Sequence, residues 1–491
     1  MRRGAWSGLA CSWLLFVAGG AAAYPLDGDE HTGIVRLRGY REQQERLLER
    51  GTLAPGALLP MDRIVLSLED RPGLEIPPPD EALSRRLRSV LGPHASRYAV
   101  SVLDLSDPAQ IRYFAHQEDL RQNPGSVGKL IVALAWMQAL ADRFPADPEA
   151  RAALLRTTEV VADAYIRSDE HEVPFWAPGD SRIVKRRLRE GDRGSLYTYL
   201  DWMLSSSSNA AASMLLQQLV LFRHFGERYP TSPEEAESFL TASPIKERQA
   251  LLEALLIDPI VRNGLDPERF RQGGLFTHEG KRRIPGGSST ATTRELVTYL
   301  LRMEQGRLVD RWSSLELKRL LYLTDRRIRY ASHPALRDAA IYFKSGSLYS
   351  CEEEEGFVCR KYHGNVRNYM NSVAIVEVHD EARPLRYLVA VLSNVLRENS
   401  AVAHQTLALR IHRLIESLHP VPEAAPIPDP PPPAAESRAD RTPEAAERDA
   451  PTPAVEAAPP SRGPASSDPA EAALSADPGP SADRDELIEP D

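Results

Sequence analysis

Cysteine is nearly absent from this chain, and the three present are Cys11, Cys351 and Cys359. That count excludes a disulfide-dense scaffold and a cysteine-rich metal cluster. The twelve histidines are scattered and no glycine-rich phosphate loop occurs, so neither a metal nor an organic cofactor is implied. Apolar runs long enough to cross a bilayer are missing as well. The most hydrophobic segment, Cys11 to Val17, is interrupted by Ser12 and falls far short of the ~20 residues a span requires. Excess positive charge is lacking too. The formal charge is −9, but 16 acidic residues against five arginines after residue 420 account for −11, leaving the remainder near +2. A near-neutral body gives no electrostatic case for nucleic-acid binding.

What is present at the start has the layout of an export signal. Arg2-Arg3 precedes the short apolar segment and Ala21-Ala22-Ala23 offers a small-residue cleavage site, so residues 1–23 are expected to be removed and the protein to be periplasmic or secreted. No transmembrane anchor is then expected in the mature chain. Export places Cys351 and Cys359 in an oxidising compartment, which favours a disulfide around Glu352-Glu353-Glu354-Glu355. A zinc site is the alternative, but with His363 alone beside them its ligand set is incomplete.

Residues 24–80 read as a packing arm, with a short polar helix at 39–49, a strand at 64–68 and an extended Pro77-Pro78-Pro79 segment. Leu83, Leu87, Val90 and Leu91 form a helical stripe over 81–91. Two strand-like runs follow, at 98–103 and 111–115, joined by a turn containing Asp107-Pro108. Residues 145–204 read as helical and charged, with Lys185-Arg186-Arg187-Leu188-Arg189 as a solvated helix face. A sharper reading of that run is a site for an anionic polymer. Residues 222–274 are again mostly helical. Strands are expected near 341–347, 372–378 and 385–392, with a closing helix at 401–418. From residue 421 to 491 proline, alanine and acidic residues dominate and aromatics vanish, as in a disordered tail that serves as a spacer or binds a protein partner. The fold expected is α+β, one antiparallel sheet built from both ends of a domain spanning 81–420 with an enlarged helical lobe inserted between.

Three short motifs carry chemistry within that frame. Pro124-Gly125 breaks the chain, and a helix beginning near Ser126 places Ser126 and Lys129 on one face. A lysine in apolar surroundings loses its charge readily and can take a serine proton. The helix start adds free N–H groups suited to an oxyanion. Ser207-Ser208-Asn209 stands at the head of a small-residue helix, where four serines in a row also suit a simple cap. Lys344-Ser345-Gly346-Ser347 lies on an expected strand.

Ser126-Val127-Gly128-Lys129, Ser207-Ser208-Asn209 and Lys344-Ser345-Gly346, in this order, resemble the signatures of the serine β-lactamase and penicillin-binding protein superfamily. The resemblance covers residues 81–418 and extends to Ile284-Pro285-Gly286 and Thr292-Thr293-Arg294-Glu295, which resemble the end of the class A Ω loop and the helix after it. It implies that Ser126 attacks a carbonyl and forms an acyl-enzyme, with Lys129 as base or relay. Ser207 then carries a proton to the leaving nitrogen, Asn209 binds the substrate amide, and Lys344 and Ser345 attract its carboxylate. The N–H groups of Ser126 and Ser347 would form the oxyanion hole, and the substrate would be a β-lactam or a peptidoglycan-like D-amino-acid peptide. The chain departs from class A in its longer motif intervals, in Ser345 where threonine is commoner, and in the Ω-loop glutamate. Glu279 and Glu268 are the candidates for that acid, and neither has the usual spacing. A scaffold that binds a cell-wall or protein partner with little catalysis, and an esterase, are the rival expectations.

Overall fold

Tyr98–Asp104 and Leu385–Asn394 come from opposite ends of the domain and pair antiparallel, Tyr98 opposite Ser393 and Asp104 opposite Tyr387. They are the middle of a computed structural model that describes residues 27–45, 54–324 and 327–421. The expected signal at 1–23 and the tail from 422 lie outside the described residues. Numbered within the sheet, the strands are β1 (Tyr98–Asp104), β2 (Arg112–His116), β3 (Ala340–Ser350), β4 (Arg367–Val378) and β5 (Leu385–Asn394). Their order is β2-β1-β5-β4-β3, with every neighbour antiparallel. The architecture is α+β.

Side chains alternate across a strand, and here both faces are covered. Ala99 and Leu103 of β1 join the core of the helical lobe, whereas Val100 and Val102 pack with Leu83, Leu87, Leu407 and Ile411 of the helices Glu81–Leu91 and Ser400–Glu416. This double burial is why the central strands read as unbroken apolar runs. The arm belongs to the same body: Ile34, Leu37 and Ile64 are in the lobe core, and the Arg36 guanidinium is buried against the Asp201 carboxylate.

Three expectations need correction. Ile64, Leu66 and Leu68 are buried, but no strand forms there; the N–H groups of Ser67 and Leu68 bond instead to the side chain and the carbonyl of Glu304. The arm helix runs Val35–Gln44, earlier than expected. Residues 145–204 are only partly helical. Between helices Pro148–Thr157 and Leu196–Leu204 lie two small hairpins, Glu159–Val161 with Arg193–Ser195 and Glu172–Phe175 with Val184–Arg187. The basic run is thus largely a strand. Arg186 lies 3.7 Å over the Phe175 ring and forks onto Asp192, so alternation across the hairpin, rather than a helix face, disposes these charges.

Candidate active site

Four segments converge at one edge of the sheet. The first is the turn Gly125–Gly128, a single 3₁₀ turn leading into helix Lys129–Arg143. The α-helix therefore starts at Lys129 rather than near Ser126. Residues i and i+3 eclipse one another in a 3₁₀ turn, so Ser126 and Lys129 still meet: Lys129 Nζ donates to Ser126 Oγ at 2.9 Å. Gly125, at φ +53°, makes the bend into this turn.

The second segment is the loop before helix Asn209–Phe225. Ser207 has a left-handed backbone, φ +62°, which costs a non-glycine residue on the order of 1–3 kcal/mol. That conformation sends its carbonyl to Lys129 Nζ at 2.7 Å while its hydroxyl meets Lys344 Nζ at 2.8 Å. Asn209 Oδ1 accepts the third Lys129 bond at 2.7 Å. All three ammonium hydrogens of Lys129 thus go to uncharged oxygens. Burial lowers its pKa to about 7, with the Asp169 charge opposing the shift and the Arg329 charge assisting it.

Strand β3 is the third. Lys344 is buried and donates to the Ser345 carbonyl at 2.8 Å. Burial, and then the charges of Lys129 and Arg329, hold its pKa well below the usual lysine value. Gly346 is where β3 touches the Ser126 turn. A Cβ there would fall 2.4 Å from the Pro124 carbonyl oxygen and 2.5 Å from Ser126 N, so only glycine allows the approach. The same closeness brings the Ser347 backbone beside the turn, with its N–H 3.2 Å from where a Gly125 Cβ would stand.

The fourth segment was invisible to sequence reasoning. Arg329, at φ +53°, donates to Ser345 Oγ at 2.8 Å and Ser347 Oγ at 3.1 Å, and its guanidinium lies 4.7 Å over the Tyr362 ring. It adds a positive charge to the two β3 hydroxyls. No motif surrounds it. It heads the 3₁₀ turn Arg329–Ser332, and its place fifteen residues before Lys344 is the only sequence signal it offers.

The structure does not bring Glu279 or Glu268 to the site. Glu279 is held by Arg282 at 2.6 Å and Arg283 at 2.7 Å, which pull its pKa to about 2. Glu268 pairs with Arg271 at 3.2 Å. From the same stretch it is the Phe276 ring that reaches the site, 4.8 Å from Lys129 Nζ. Cys351 and Cys359 are bonded, with Cα atoms 6.0 Å apart, in the loop that continues from β3. Among the described residues no group of histidine, cysteine and carboxylate side chains could hold a metal, and no helix is long and apolar enough to cross a membrane.

Among solved structures, the TLA-3 extended-spectrum β-lactamase is 14% identical, covering 69% of this chain and 98% of its own, with a TM-score of 0.45. PBP-A is 13% identical over 70% of this chain and 100% of its own (TM-score 0.42), and a β-lactamase from Chitinophaga pinensis is 15% identical over 68% and 98% (TM-score 0.42). No curated protein sequence matches. The family model described as the β-lactamase enzyme family matches residues 82–383, more than half of the sequence, and the chain belongs to that family.

Proposed function

We propose that this protein is an exported serine acyl-hydrolase that forms an acyl-enzyme at Ser126 and acts on β-lactams or related D-amino-acid peptides and amides. The observation that carries the reading is the set of bonds joining three distant motifs, Lys129 Nζ to Ser126 Oγ and to Asn209 Oδ1, and Lys344 Nζ to Ser207 Oγ. A lysine with a pKa near 7 is part neutral at physiological pH, so Lys129 takes the Ser126 proton as the oxygen attacks the carbonyl carbon. The N–H groups of Ser126 and Ser347 receive the oxyanion. Ser207 gives its proton to the leaving nitrogen and recovers one through Lys344. Arg329, Ser345 and Lys344 supply the positive charge and hydroxyl that a substrate carboxylate seeks. Asn209 orients the substrate amide.

Intact mass after incubation with penicillin tests the reading. Addition of the whole penicillin mass, lost in Ser126→Ala, is expected; no adduct, or an adduct retained in that variant, overturns it. A second reading is favoured by one feature, the absence of any carboxylate hydrogen-bonded to Lys129 or Ser126 among the described residues. On that reading the protein is a weak catalyst that serves as a cell-wall or protein-binding module. Full turnover of a chromogenic cephalosporin excludes it.

A further inference from the structure

One acid does bear on Lys129 electrostatically: Asp169, the first charge opposing the fall in its pKa. Asp169 belongs to the loop before the Glu172–Phe175 hairpin, where no motif marks it. Its carboxylate accepts four hydrogen bonds. Oδ2 takes Ser208 Oγ and the Ala210 N–H, both at 2.8 Å, while Oδ1 takes the His171 N–H at 3.1 Å and His171 Nδ1 at 2.7 Å. Burial opposes its ionisation, but the His171 and Ala210 bonds and the Lys129 charge outweigh burial and hold its pKa at about 2. So fully satisfied a carboxylate is a poor base. It is well suited to hold something else.

What it holds is the imidazole of His171 on one oxygen, while its other oxygen takes Ser208 and Ala210, the neighbours of Ser207 and Asn209. With Nδ1–H donated to Asp169, the neutral ring carries its lone pair on Nε2. Nε2 meets no protein partner among the described residues, and the side chain is 40% exposed. Of the charged groups facing the ring, Asp169 comes from its own loop, Lys129 from the nucleophile helix and Lys344 from β3. Burial and the two lysine charges keep the pKa below 6.5 against the pull of Asp169, so the ring is neutral at pH 7.

Resting on the acyl-enzyme reading above, we propose that His171, positioned by Asp169, is a further catalytic residue that serves deacylation. Water attacks the acyl carbon and its proton passes to His171 Nε2; as the tetrahedral intermediate collapses, the C–O bond to Ser126 breaks and that proton returns to Ser126 Oγ. The task is one that Glu279, gripped by Arg282 and Arg283, and Glu268, paired with Arg271, are not free to perform. Asp169 touches no reacting atom and acts by fixing the ring and its tautomer.

The test separates the two steps with a fluorescent penicillin, following the gain of covalent label and then its decay. In His171→Gln, labelling is expected within about threefold of wild type and decay slower by about 10²–10⁴-fold, the usual worth of a general base. The wild-type decay rate should rise with pH through a midpoint below 6.5, and this limb should vanish in the variant. In His171→Ala, added imidazole should restore part of the decay, which a purely structural role would not allow. Unchanged decay in His171→Gln, an equal loss of labelling and decay, or a wild-type adduct that never decays overturns the proposal. A wild type that takes no label fails the acyl-enzyme reading itself, a separate result.

Discussion

Lys129 and Lys318 are both fully buried, and their surroundings treat them in opposite ways. Lys318, in the helix Arg311–Tyr322 packed on the sheet, lies between Glu304 at 2.7 Å and Glu377 at 2.9 Å. Burial pushes its pKa down, but the two carboxylates win and raise it. Lys129 is as deeply buried and meets only a hydroxyl, a carbonyl and an amide oxygen; burial wins and its pKa falls to about 7. Nothing in the amine differs. The difference is the formal charge of the oxygens around it, which makes one ammonium a permanent strut and the other a proton carrier.

The comparison yields predictions in descending size. Lys129→Met should lower the rate of penicillin acylation by about 10²–10⁴-fold in a protein that still folds, since the charge removed had no ionic partner; quenched-flow labelling and a melting curve read the two effects. Lys318→Met should do the reverse. It strands two buried acids, so a loss of about 3–5 kcal/mol in stability is expected by denaturant melting, with acylation per folded molecule close to wild type. Arg329→Met should raise KM for a carboxylate-bearing β-lactam by about tenfold, roughly the 1.4 kcal/mol a charge-assisted contact carries, with the melting temperature little changed. Glu279→Gln is the smallest: acylation and turnover should stay within about twofold, because its carboxylate is occupied by Arg282 and Arg283. A large loss of turnover there would return that residue to the chemistry.

How far the sequence spoke follows the same division. The pairing of Ser126 with Lys129 and the stations of Ser207, Asn209 and Lys344 were legible, because each depends on spacing within one element or on a short motif. The sheet was legible because its strands are apolar on both faces. Arg329 and Asp169 were not, for one stands at the head of a single 3₁₀ turn and the other in a loop, where no period repeats, and they reach the site through left-handed backbone and long-range hydrogen bonds. The run at 184–189 was misread for a related reason. Arg186 follows partners off its own strand, Phe175 across the hairpin and Asp192 in the turn beyond it, that a helical period does not reveal.

The central claim is that Lys129 is a neutral base when Ser126 attacks, and the pH dependence of acylation tests it most directly. Because its pKa is depressed, the neutral form gains above about 7 and is lost as the pH falls below it. The acylation rate of the wild-type protein with penicillin, measured from pH 5 to pH 9, should climb through a midpoint near 7 to a plateau. A flat profile, or one still climbing at pH 9 as for an ordinary lysine, would contradict the account.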